Sequence, residues 1–183
     1  LVLERHYVVG GFSHSFRRKG FEFDVGVHYV GDVQRRLSNL RRISDYVTEG
    51  RLDWARMHDV FDVLVYPDRR YDVVAGPQAF QDRLRHDFPG EERAVSEYLQ
   101  LVNQSTTGHF VAKMAGQSLP PEVLAISRRT TLSVLEQLTS NRRLMSVLTG
   151  QWGNYAHPPA QSSFLTHALF VKHYLFGAAY PVG

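Results

Sequence analysis

Gly76-Pro77 is the position that most constrains this chain. Before it, apolar residues recur mainly with the period of a strand; after it they recur with the period of a helix. Gly76-Pro77 suits a first helical turn, with Phe80 and Leu84 giving that helix an apolar side. Val95, Leu99 and Val102 mark the next helix, and Leu132, Leu135 and Leu138 another. A break at Pro158-Pro159 precedes a last one near Ser163 to Phe176.

Upstream, Leu1-Val2-Leu3 reads as a short apolar strand, and Phe21-Glu22-Phe23-Asp24-Val25 alternates as a half-buried strand does. Helical spacing takes over at Val33, Leu37, Leu40, Ile43 and Val47, with Asp32 as the expected N-cap and Gly50 as the stop. Residues 60 to 66 and 71 to 74, on either side of Pro67-Asp68, predict an antiparallel hairpin. This order predicts an α/β fold: a sheet domain giving way to a mixed antiparallel-sheet and helical one. The expected division puts the first domain at residues 1–50 and the second at 51–183.

Composition narrows the function classes. Apolar residues are 43% and charged residues 21% of 183, which excludes whole-chain disorder. With no cysteine, disulfide scaffolds, thiolate metal sites and cysteine nucleophiles are all excluded. The net charge of +3 comes from arginine pairs scattered along the chain, such as 17–18, 41–42 and 142–143. A nucleic-acid stripe is more concentrated, so no nucleic-acid partner is expected. Nine histidines invite a metal reading, but H-E-x-x-H is absent, and His167 and His173 fall on different helix faces. No metal is expected. Ser13-His14-Ser15 lacks the glycine frame of a nucleophile elbow.

The strongest constellation is Glu4-Arg5, then Gly10-Gly11-Phe12. An acid at the end of a buried strand is what a dinucleotide fold uses to hold ribose hydroxyls, and a glycine pair lets backbone approach a pyrophosphate. Spacing alone leaves an ordinary strand and glycine turn equally open, because G-x-G-x-x-G is absent. The opening residues read as the second half of a strand and Tyr180-Pro181-Val182-Gly183 as a turn, so an internal piece of a larger protein is expected.

Val2-Leu3-Glu4, Gly10-Gly11 and Gly20-Phe21-Glu22-Phe23-Asp24-Val25-Gly26-Val27-His28-Tyr29-Val30-Gly31 resemble the FAD-binding opening of the phytoene desaturase, carotenoid isomerase and retinol saturase family. Those are amine-oxidase-like flavoproteins. Phe61-Asp62-Val63, Tyr66-Pro67-Asp68 and Leu148-Thr149-Gly150-Gln151-Trp152-Gly153 extend the resemblance, which is closest to the retinol saturase branch.

The resemblance implies a partial Rossmann-like FAD-binding domain followed by a substrate domain. It makes Glu4 the ribose acid, places Arg5 beside the adenosine half and lays Gly10 and Gly11 against the pyrophosphate. Gly26, Val27, His28 and Tyr29 would pass the flavin ring, and Phe12 stands where the superfamily often has Arg. The implied activity is FAD-dependent oxidoreduction of carbon–carbon double bonds in an apolar polyene, carotenoid or retinoid, with hydride passing through flavin N5. The catalytic residues themselves are not legible.

Apolar side chains such as Phe164, Leu169 and Phe176 are candidates to line a tunnel or touch a bilayer surface, with core packing the plainer alternative. The expected location is cytoplasmic or peripheral to a membrane. The rival readings are a non-catalytic isoprenoid- or lipid-binding module, for which Glu4 and the glycine pair have no use, and a flavin amine oxidase, disfavoured by Phe12.

Overall fold

The computed structural model describes residues 3–8, 11, 14–26 and 28–182. It is a mixture of helices and antiparallel sheets and divides into two compact units, residues 1–56 with 178–183, and residues 57–177.

The first unit opens on an irregular segment. Leu3 lies outside any strand and is exposed, which corrects the strand expected there; no described strand offers its backbone a ladder. Leu1 and Val2 fall outside the described residues. Strands β1 (Ser15–Arg18) and β2 (Phe21–Asp24) then form a hairpin with Arg18 opposite Phe21. Both loop residues take positive φ, Lys19 at 51° and Gly20 at 83°. That geometry matches the right-handed twist of the flanking strands. β2 is not the half-buried strand expected: Phe21 and Phe23 are exposed, and Phe23 stacks on Phe16 across the pair.

Helix α1 (Asn39–Val47) starts later than its apolar spacing suggests. Asp32 is not its N-cap. It sits at φ 59°, where its carboxylate takes the Arg35 guanidinium, and the Ser38 side chain caps the helix by accepting from Arg41 N. Gly50 does end the segment, at φ 71° with its N–H on the Asp45 carbonyl.

Strands β3 (Val30–Gly31), β4 (Asp53–Arg56) and β7 (Ala178–Val182) make a sheet in the order β3-β7-β4. The last residues are therefore strand up to Val182, where a turn was expected. Pro181 is tolerated because β3 pairs only with Ala178 and Ala179, leaving the far side of β7 open at the proline.

The second unit holds the large core. Strands β5 (Val60–Val65) and β6 (Arg70–Val74) form the expected hairpin, with an irregularity between Val60 and Asp62. Helix α2 (Pro77–Asp87) begins at the expected proline. The long α3 (Glu92–Met114) is followed by α4 (Pro121–Ser127), α5 (Thr131–Leu138), α6 (Arg142–Leu148) and α7 (Phe164–Tyr174), the last capped by Ser163. Tyr98, Leu135, Leu144, Phe164 and Ala168 are all but sealed from solvent at its centre. Phe164 and Leu165 are thus core, whereas Leu169 stays 38% exposed. Among the described residues no helix is long and apolar enough to cross a membrane.

Candidate functional site

In the first unit Gly11 lies against Glu4. Gly11 takes φ +53°, and a Cβ there would lie 3.2 Å from Glu4 Oε2. The positive φ favours glycine at this position, and the exposed Glu4 carboxylate lies directly against it. Glu4 Oε1 accepts the His6 N–H at 2.8 Å, so the carboxylate is held from its own turn while remaining exposed. Arg5 is exposed beside it. His6 Nδ1 accepts the Val8 N–H at 3.2 Å, and His14 Nδ1 donates to the Gly11 carbonyl. The three rings that follow the acid cluster together: His6 lies 4.3 Å from Tyr7 and 4.4 Å from His14, centroid to centroid.

The structure thus brings Glu4 and Gly11 together. Gly26, His28 and Tyr29 follow the β1–β2 hairpin, whose base is tied by Val25 N–H on the His14 carbonyl. Gly26 and His28 are exposed and Tyr29 is half-buried. Gly10, Phe12 and Val27 lie outside the described residues. Nearby, Tyr180 donates its hydroxyl to Asp24, which raises the phenol's pKa.

Among the described residues, the second unit carries a crevice and a groove. The crevice, of about 40 Å³, is apolar and lined by Phe61, Leu64, Phe80, Val171, Tyr174 and Leu175. Asp72 and Arg83, also in its wall, form an ion pair at 3.1 Å. Gln151 donates to Asp62 at 2.6 Å. Burial, then the nearby Asp62 carboxylate, raise the Tyr174 phenol's pKa. The groove, of about 540 Å³, is open and lies between α3 and α4, with Leu101, Val123 and Ile126 alongside Gln104 and Glu122.

Sequence reasoning missed a buried polar group at the centre of this unit. His167, weighed only as a metal ligand, is 1% exposed and bonded at both ring nitrogens. Tyr98 meets Nε2 at 2.8 Å and Tyr155 meets Nδ1 at 3.0 Å. A neutral imidazole has one donor and one acceptor nitrogen, so one phenol donates and the other accepts. Burial lowers the His167 pKa to about 4 and pushes that of Tyr155 up to about 12. Among the described residues, no three His, Asp or Glu side chains group as metal ligands would.

No protein-family model matches the chain. Individual proteins do. It is 36% identical to an all-trans-retinol 13,14-reductase of Danio rerio over 203 aligned residues, which take in 100% of the chain and 33% of that protein. The corresponding protein of Homo sapiens is 35% identical over the same shares. An inactive all-trans-retinol 13,14-reductase of Danio rerio is 28% identical. The chain spans about a third of the length of the curated relatives it matches. Over its whole length it is similar to the all-trans-retinol 13,14-reductases, and the resemblance read in its glycine and aromatic motifs is to that retinol saturase branch.

Proposed function

We propose that this chain is an internal part of an FAD-dependent oxidoreductase that reduces a carbon–carbon double bond of a retinoid-type polyene. The observation that carries the reading is the similarity of the whole chain to all-trans-retinol 13,14-reductases. The described residues fit the adenosine end of FAD. An exposed carboxylate, Glu4, is oriented by the His6 N–H against a glycine that leaves no Cβ in its way. Glu4 would accept from the ribose hydroxyls, with Arg5 on the adenosine side and Gly11 admitting the pyrophosphate. Bound FAD supplies the two-electron exchange with the double bond.

The rest falls to the chain's own side chains. The crevice between the β5–β6 hairpin and helices α2, α6 and α7 is apolar enough to take hydrocarbon from water. Its volume is too small for a whole polyene. Peripheral contact with a bilayer belongs to the same proposal, since α1 leaves Ile43, Tyr46 and Val47 exposed in a segment that also carries Arg41 and Arg42.

The test is a single-turnover reaction of the full-length protein, reduced without oxygen and mixed with all-trans-retinol. Mass spectrometry of the extracted retinoid should show a gain of two hydrogens. A retinoid recovered unchanged contradicts the proposal.

A further inference from the structure

We infer that the rings of His6, Tyr7 and His14 form a stacking face for the adenine of the bound dinucleotide; the inference rests on the flavin reading above. A nucleoside carries its base next to its ribose, so the residue that takes the ribose hydroxyls fixes where the base can lie. The rings begin two residues after Glu4, and the backbone of His6 is itself bonded to the Glu4 carboxylate at 2.8 Å. Tyr7 is 86% exposed, and an aromatic ring left so open adds little to the fold. Both imidazoles are held in place by backbone. His6 Nδ1 accepts from Val8 N–H and His14 Nδ1 donates to the Gly11 carbonyl. The face is therefore set before a ligand arrives, which lowers the ordering cost of binding. The inter-ring distances of 4.3 and 4.4 Å, with Tyr7 and His14 at 5.9 Å, leave a compact aromatic surface beside a carboxylate. Purines bind such surfaces by stacking, whatever the base edge displays.

The experiment uses the full-length apo-protein, with FAD and its etheno-adenine analogue as probes. Tyr7→Ala should weaken FAD binding about tenfold, while Tyr7→Phe, which keeps the ring, should stay within about twofold of wild type. Etheno-adenine emission should be quenched on the wild type and on Tyr7→Phe, and recovered on Tyr7→Ala. Uptake of FAD with equal affinity by wild type and Tyr7→Ala overturns the stacking face and leaves the flavin reading standing. So does bound etheno-FAD that emits as brightly as the free probe. A wild-type protein that takes up no FAD overturns both.

Discussion

The Nε2 of His167 and the hydroxyl of Tyr98 lie 2.8 Å apart in the core of the second unit, both groups closed to solvent. The pair joins α3 to α7 across 69 residues of sequence, and Tyr155 completes it from the other ring nitrogen. Burial holds the folded imidazole neutral, with a pKa of about 4 against 6.5 when unfolded. The unfolded chain therefore binds the proton first. The His167 contribution is fully present above pH 6.5 and is lost as pH falls from there to about 4. By pH 4.5 the loss should amount to about 2–3 kcal/mol in urea unfolding, and His167→Gln should flatten that part of the pH profile. Equal pH dependence in the two proteins contradicts it.

Gly108 brings α3 onto α4. A Cβ there would lie 2.7 Å from Cγ2 of Val123, a stiff and buried side chain. Gly108→Ala gains about 1 kcal/mol of helix propensity, but overpacking costs about 1–3 kcal/mol. The single substitution should destabilise, by about 1 kcal/mol. In a Val123→Ala background the same change should stabilise, by about 1 kcal/mol. A double-mutant cycle in urea reads the coupling, and additivity contradicts the close approach.

Asp87, whose side chain is 5% exposed, is paired with Arg69, whose guanidinium also lies 5.0 Å over the Tyr71 ring. Arg69→Met leaves a buried carboxylate without its cation and should cost about 2 kcal/mol, a figure kept low because Arg69 itself is half in water. Adding Asp87→Asn should restore part of the loss, since the uncompensated charge is gone. A chemical denaturation midpoint unmoved by Arg69→Met contradicts the pairing.

Local signals carried most of what was legible. The hairpin at Val60–Val74 is written in its alternation and its Pro67-Asp68 turn, and α2 and α7 in Pro77 and Ser163. Asp32 misled because its own side chain takes Arg35 and its backbone turns to positive φ, leaving Ser38 to cap. The seven-residue helices α4 and α6 are too short to show a period. β7 is a strand by pairing with residues more than a hundred positions away. At the site, the approach of Glu4 to Gly11 is not legible in the sequence, because the pattern puts Glu4 at a strand end and the residue lies instead in an irregular segment. The Tyr98–His167–Tyr155 chain depends on helix packing, which no local pattern encodes.

The most direct test of the account is the flavin content of the full-length protein, with Glu4 as the lever. The purified protein should be yellow and release FAD on denaturation. Hydrogen bonds to a charged acceptor are each worth about 1.5–3 kcal/mol, and Gln keeps the shape and one acceptor oxygen of Glu. Glu4→Gln should therefore weaken FAD binding about tenfold, and Glu4→Ala more. A colourless protein that takes up no FAD on reconstitution contradicts the account.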